Sequence, residues 1–247
     1  MAGWLRRQGT GAGARGIVVG LSGGVDSAVV ARVAQIAMGD AVVTVIMPAY
    51  SDPQDEADAR LVADAFKLRV LMVDLVPPYD TLIDGVQRAV KDLPNGGAPV
   101  SDEAGRLALA NIKPRLRMTT LYAVANRLNY IVAGTGNRSE IAIGYYTKYG
   151  DGGVDVLPLG SLVKSEVRAL AREVGVPMRV IEKAPSAGLW LGQTDESEMG
   201  FTYADLERYL REGPEALAPA LVLKIERLTR ASDHKRALPP VFDPGTR

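Results

Sequence analysis

The stretch Gly20-Leu21-Ser22-Gly23-Gly24-Val25-Asp26-Ser27 constrains this chain more than any other, because an apolar run, Gly16 to Leu21, leads into it and an Ala/Val-rich segment ending near Met38 follows. That order reads as strand, tight loop, helix. Adjacent glycines let the backbone take positive φ and approach a ligand closely, while Ser22, Ser27 and the N–H groups of a first helical turn face whatever fills the loop. An anion is the natural occupant. The loop is not a Walker A, since no Gly-Lys-Ser/Thr follows, and it is not G-x-G-x-x-G. Asp26 sets it apart. A carboxylate inside an anion-binding loop repels phosphate unless a cation lies between them, which points to Mg²⁺ held by Asp26 and phosphate oxygens. The plainer alternative is a Gly-Gly turn with Asp26 at the start of a capped helix.

The segments that follow fix the fold class. Ala41 to Met47 is a continuous apolar, β-branched run of the kind buried on both faces of a parallel sheet, and Pro48 ends it. Asp52 to Phe66 carries Ala57, Leu61, Val62 and Ala65 at helical spacing, with Ser51 or Asp52 as cap. Arg69 to Asp74 is a third strand, and Pro77-Pro78 opens a helix from about Tyr79 to Lys91. Strand and helix therefore alternate with short connections, which predicts one α/β domain: a doubly wound, Rossmann-like parallel sheet flanked by helices. Ligands of such sheets bind beyond the C-terminal strand ends, where the first loop lies. Residues 1–15 precede the first strand and read as a flexible lead-in, and the break Pro94 to Pro99 as a mobile surface loop.

Pro114 to Leu128 is a helix with Met118, Leu121, Tyr122, Ala125 and Leu128 on one side, a stripe that suits core or interface. Tyr130 to Ala133 is the fourth strand, followed by Gly134-Thr135-Gly136-Asn137-Arg138-Ser139-Glu140. This run half-matches the dinucleotide fingerprint but lacks its third glycine. A second reading uses more of it: Thr135 offers a hydroxyl and Glu140 a carboxylate at the sheet edge that also holds Asp26, so the two acids could share one Mg²⁺. Tyr145 to Asp155 is too polar, aromatic and glycine-rich for core. It reads either as a functional loop, with Lys148 as a charge and Asp155 as a ribose acceptor, or as an Ω-loop packing its own tyrosines.

Lys164 to Val174 is a helix stopped by Gly175 and Pro177. Lys164 stands at the end that disfavours a cation, which suggests an anionic partner or else a solvated side chain. Ala184 to Glu198 has neither helical nor strand periodicity and holds one of two tryptophans, so it is a candidate active-site lid. Helices follow over Tyr203 to Leu210 and Pro214 to Ala231, then a tail, 232–247, with His234, Lys235 and Arg236.

Composition narrows the chemistry. With 29 basic and 29 acidic residues the 247-residue chain carries no net charge, a poor footprint for a nucleic-acid binder. Cysteine is absent, which removes disulfides, thiolate metal sites and cysteine nucleophiles, and a single histidine leaves no histidine metal cluster. No apolar run approaches the ~18 residues of a membrane span and no signal-peptide core is present, so a soluble, cytoplasmic protein is expected.

The first loop and four further motifs in order carry a resemblance. Ser22-Gly23-Gly24-Val25-Asp26-Ser27 is similar to the loop of pyrophosphatase-type ATPases, which cleave ATP between the α and β phosphates. With it, Gly134 to Glu140, Gly144 to Asp151, Pro185 to Trp190 with Gly192 to Glu196, and His234-Lys235-Arg236 resemble the ammonia-dependent NAD⁺ synthetases, from about Gly16 to Pro240. The resemblance implies an adenine nucleotide alpha-hydrolase-like fold and amidation of deamido-NAD⁺ by ammonia, with ATP giving AMP and diphosphate. It implies ATP contacts at Gly20, Leu21, Ser22, Gly23, Gly24, Val25, Asp26, Ser27, Thr135, Lys164 and Ser186, and Mg²⁺ on Asp26 and Glu140. It places Asp26, Glu140 and Lys164 in catalysis and deamido-NAD⁺ on Arg115, Lys148, Asp155, His234 and Lys235. Pro114 stands where a small residue such as alanine is expected, although proline suits a first helical turn. A homodimer with the dinucleotide site at its interface is also implied, and in that light the stripe on Pro114 to Leu128 becomes a dimer contact. Competing readings are another ligase of the same loop class, an oxidoreductase, and a nucleotide sensor; a built-in glutaminase is excluded by the lack of cysteine.

Overall fold

The computed structural model describes residues 1–91, 93, 103–186, 188, 190 and 194–243. In chain order the elements are α1 (Ala2–Gly11), β1 (Gly16–Gly20), α2 (Val25–Met38), β2 (Val42–Ile46), α3 (Pro53–Phe66), β3 (Val70–Met72), α4 (Val76–Lys91), α5 (Glu103–Ala110) and α6 (Ile112–Leu128). Then come β4 (Tyr130–Ala133), α7 (Arg138–Ile143), α8 (Lys164–Glu173), α9 (Met178–Glu182), α10 (Asp195–Met199), α11 (Tyr203–Glu212), α12 (Pro219–Ala231) and α13 (Asp233–Arg236). The four strands are parallel in the order β3-β2-β1-β4. Chain order reverses at β1, where β2 and β3 lie to one side and β4 to the other. A crevice therefore opens beyond the carboxyl ends of β1 and β4, the place where such sheets take their ligands.

Alternation along the strands assigns the two layers. Ile17 and Val19 of β1 pack into one core with α2, α3, α8 and α9 residues such as Val29, Val62, Val167 and Val180, whereas Val18 faces the other with Val45, Val132, Leu121 and Ala125. A third apolar cluster, built from Ile143, Met199, Phe201, Leu206 and Ile225, joins α7, α10, α11 and α12 beside the sheet. Helix α3 begins as its sequence dictates, with Asp52 accepting from the Gln54 N–H at 2.8 Å and Pro53 in the first turn.

Several sequence expectations change here. The supposed lead-in is largely helix: Leu5 of α1 is fully buried in the first core, and Arg6 donates to the Ala37 carbonyl at 2.6 Å. Leu121 and Ala125 of the α6 stripe are core, so they are not available as a contact between subunits. Leu128 of the stripe is exposed, and further exposed apolar side chains lie on β3 (Val70, Leu71, Met72) and at Leu82 and Val86 of α4, a helix without a buried residue. The 94–99 loop falls outside the described residues, and of the 184–198 segment the last residues form the start of α10.

Candidate active site

A cavity of about 960 Å³ lies in the crevice, lined by the loops after β1 and β4, by the start of α8, by residues 183–186 and by the first turn of α10. The loop after β1 is shaped by its own hydroxyls. Ser27 Oγ accepts from the Ser22 N–H at 3.2 Å and donates to the Gly24 carbonyl at 2.9 Å, and the Gly24 N–H donates to Ser22 Oγ at 3.3 Å. Gly23 has φ +81, and a Cβ there would come within 2.2 Å of the Asp55 carbonyl, so this corner accepts glycine alone. Helix α2 starts at Val25 without a side-chain cap, which leaves the N–H groups of its first turn for a ligand.

The loop after β4 delivers Glu140 through a reciprocal cap. Asn137 Oδ1 accepts from the Glu140 N–H, Glu140 Oε2 accepts from the Asn137 N–H, both at 3.1 Å, and the Asn137 Nδ2 donates to Asp26 Oδ1 at 2.9 Å. One buried asparagine thus ties the two loops and sets the two carboxylates. Lys164, the first residue of α8, completes the constellation, its Nζ lying 2.5 Å from Asp26 Oδ2 and 3.4 Å from Glu140 Oε1. Its side chain is only 4% exposed, which decides between the two readings of its awkward place at a helix start: the anionic partners are internal. Burial pushes the Glu140 carboxyl up, Lys164 works against that, and Asp26 adds to it. Burial alone would lower the Lys164 ammonium, but Asp26 and Glu140 outweigh it and hold it above its ordinary range.

Asp195 and Arg117, which sequence reasoning did not single out, also line the cavity. Asp195 is buried, accepts from the Tyr203 hydroxyl at 2.7 Å through Oδ2, and keeps Oδ1 without a hydrogen-bond partner among the described residues. Burial pushes its carboxyl up as well. Tyr203 also lies under Lys164, with the ammonium 5.2 Å from the ring centroid. Arg117 donates to the Met47 carbonyl at 3.2 Å and to Ser51 Oγ at 3.1 Å. Asn137 left a local signal, the Asn-x-x-Glu spacing of a cap ahead of a helix, and Asp195 stands inside the Gly192 to Glu196 motif.

The residues expected from the sequence divide into two groups. The Gly20 to Ser27 loop apart from Gly23 lines the cavity together with Thr135, Glu140, Lys164, Ser186 and Lys235. Arg115, Lys148, Asp155 and His234 are not among its lining residues. Asp155 already has both oxygens engaged, Oδ2 with the Val132 N–H at 2.7 Å and Oδ1 with the Tyr122 hydroxyl at 2.9 Å. The tail is docked, since Lys235 donates to the carbonyls of Gly144 and Tyr146 at 2.7 and 2.6 Å and Lys148 donates to the His234 carbonyl.

With this geometry in view, the chain matches the family model described as NAD synthase over residues 1–239. The chain belongs to the NAD synthase family. It is 51% identical to the NH(3)-dependent NAD(+) synthetase of Carboxydothermus hydrogenoformans, the alignment covering 96% of this chain and 93% of that protein. Among solved structures it is similar to the NMN synthetase of Francisella tularensis (TM-score 0.86, 36% identity, 98% and 95% of the two chains). It is also similar to the NH3-dependent NAD synthetase of Campylobacter jejuni (TM-score 0.77, 26% identity, 98% and 95%). As a member of this family the protein is a carbon–nitrogen ligase that uses ATP and ammonia to amidate deamido-NAD⁺ to NAD⁺. No helix of the described residues is long and apolar enough to cross a membrane.

Proposed function

We propose that the triphosphate of ATP lies in the Gly20 to Ser27 loop, with Thr135 and Ser186 as further contacts, and that Asp26, Glu140 and Lys164 carry the electrostatic work of the reaction. The observation that supports this most is the convergence of Asp26 and Glu140 on one ammonium, from two loops that Asn137 ties together by a hydrogen bond across 111 residues. Two hard carboxylates aimed at one point suit Mg²⁺, which keeps phosphate and water oxygens in its remaining positions. Mg²⁺ bound by Asp26 and Glu140 would supply charge neutralisation for the polyphosphate.

The chemistry explains why no side-chain nucleophile is needed. A carboxylate does not react with ammonia at neutral pH, because its carbon is shielded by delocalised charge and oxide would have to leave. Attack of the nicotinate oxygen on the α-phosphorus forms an acyl adenylate and releases diphosphate; ammonia then adds to the acyl carbon and AMP leaves. Positioning two anions and stabilising charge developing on phosphorus are tasks for loop N–H groups and for the Lys164 point charge.

Deamido-NAD⁺ is assigned to Arg115, Lys148, Asp155, His234 and Lys235, in a homodimer whose interface completes the site. Two facts support this: four of the five lie outside the cavity of one chain, and α4 and β3 expose Leu82, Val86 and Leu71. The same displacement of the dinucleotide residues favours a second acid substrate, nicotinate mononucleotide, which lacks the AMP half and corresponds to the product named for the Francisella protein. The test is to supply ATP, ammonium and either acid to wild type and Asp26→Asn, with and without Mg²⁺, while light scattering gives the mass in solution. Asp26→Asn should lose Mg²⁺-ATP use far more than acid binding, and equal loss of both would overturn the assignment. A monomer fully active on deamido-NAD⁺ would overturn the shared site, and no turnover of nicotinate mononucleotide would reject the second substrate.

A further inference from the structure

The acidic start of α3 sits against the phosphate loop. Asp55 and Glu56 line the cavity, and the Asp55 carbonyl is the atom that forbids a side chain at Gly23. A triphosphate settling in that loop would meet an α3 carboxylate of its own sign. Lys183, which also lines the cavity, bridges this carboxylate and the next: its Nζ lies 2.7 Å from Asp55 Oδ1 and 2.7 Å from Asp58 Oδ2. The two carboxylates are not equivalent. Asp58 is buried and is also bound by Gln54 at 3.0 Å and by Arg179 at 2.8 Å, whereas no other ion pair is recorded for Asp55 among the described residues. Three residues beyond Lys183 stands Ser186, whose Oγ accepts from the Gly188 N–H at 3.1 Å, and a Cβ on Gly188 would lie 3.5 Å from Asp55 Oδ2. Lys183 and Gly188, on this edge of the cavity, therefore lie against Asp55.

We propose that Lys183 is a positioning residue for ATP: by cancelling the charge of Asp55 beside the phosphate loop, it lets the triphosphate in without touching the reacting atoms. This rests on the triphosphate occupying the Gly20 to Ser27 loop, and it assigns Lys183 a role distinct from that of Lys164. The buried acid Asp58 anchors the lysine, and Asp55 is the group it neutralises. The interaction is electrostatic at a site with partial access to water, so its effect is on ATP affinity and is sensitive to salt.

Steady-state kinetics of Lys183→Ala, Lys183→Arg and the double variant Lys183→Ala/Asp55→Asn test this, with thermal melts as a folding control. Lys183→Ala should raise the KM for ATP about tenfold, the scale of one charge pair coupled to a ligand, while kcat and the KM for the acid substrate stay within about twofold. Lys183→Arg should keep most of the affinity, and the double variant should recover it because the uncompensated charge is gone. An unchanged KM for ATP in Lys183→Ala, a fall in kcat alone, or a double variant as weak as the single one would overturn the proposal. If Lys183→Ala does not fold, Asp55→Asn alone decides: a KM for ATP at or below that of wild type supports the role of the charge, and a tenfold rise refutes it. Gly24→Val, measured in parallel, reports on the placement of the triphosphate. An unaltered ATP KM there means that the loop is not the site, whereas a raised one with Lys183→Ala unaffected rejects Lys183 alone.

Discussion

Two lysines in this molecule each sit between two carboxylates, and the comparison separates the proposed reaction centre from a charge-balanced clasp. Lys164 lies between Asp26 and Glu140, and Lys183 between Asp55 and Asp58. In the second cluster Arg179 adds another cation, so two negative charges meet two positive ones. In the first, two carboxylates share one ammonium and a further buried acid, Asp195, stands nearby with an oxygen unpaired. Burying an uncompensated negative charge costs stability, and a fold retains one where a cation or a polar substrate completes it. The balanced cluster holds its shape by itself; the unbalanced one is left for the proposed Mg²⁺ and ATP to complete.

The largest effect expected from that contrast is at Lys164. Lys164→Ala should lose about 10²-fold or more in turnover, as removal of one transition-state donor does, measured as AMP and NAD⁺ formed at saturating ATP. Lys183→Ala should keep its turnover, and similar losses in the two variants would break the comparison. Glu140→Gln comes next. It keeps size and one acceptor but removes a charge, so the Mg²⁺ concentration for half-maximal rate should rise about tenfold, within the range for perturbed metal ligation. An unshifted Mg²⁺ dependence would take Glu140 out of the metal site.

The clasp should answer in stability. In Asp58 burial works to raise the pKa, but the hydrogen bond and charge of Lys183 and the contact with Arg179 outweigh it and hold the carboxyl below its ordinary value of 3.8. A depressed folded value means that the stabilisation is fully present above the unfolded pKa and is lost as pH falls through the folded one. Lys183 is shifted the opposite way, upward from 10.5, because Asp55 and Asp58 outweigh its burial; its share is present below that value and lost above it. Asp58→Asn should therefore destabilise by about 1–2 kcal/mol, discounted because both cationic partners reach water. The gap in chemical denaturation between wild type and variant should be flat from about pH 5 to 9 and close below about pH 4.

What the sequence disclosed follows from the range of the interactions concerned. The parallel strands and the larger helices were legible because burial on both faces leaves continuous β-branched runs and burial on one leaves a helical period, as in Ala41 to Met47 and Lys164 to Val174. The loop at Gly20 to Ser27 was legible because its glycines and hydroxyls act on their immediate neighbours. Helix α1 was missed because its glycines, at 3, 9 and 11, are poor helix formers, and its docking through Leu5 overrides propensity. Asn137 bonding Asp26 and Lys183 bonding Asp55 and Asp58 join residues more than a hundred positions apart. No local pattern announces such a pair, and only the assembled crevice brings them together.

Arg179 offers the smallest effect and the finest discrimination. Its side chain is 59% exposed although its Nε meets Asp58 Oδ1 at 2.8 Å, so most of what it gains from the carboxylate it loses by giving up water and side-chain freedom. Asp58 keeps Lys183 and Gln54 when Arg179 is removed, and is not left as a bare buried charge. Arg179→Ala should therefore cost no more than about 0.5 kcal/mol in denaturant unfolding, with the KM for ATP unchanged because Lys183 still covers Asp55. A loss as large as that of Asp58→Asn would mean that charge balance, rather than the lysine bridge, keeps the clasp closed. A raised KM for ATP would extend the electrostatic control of the phosphate loop from Asp55 to the whole acidic face of α3.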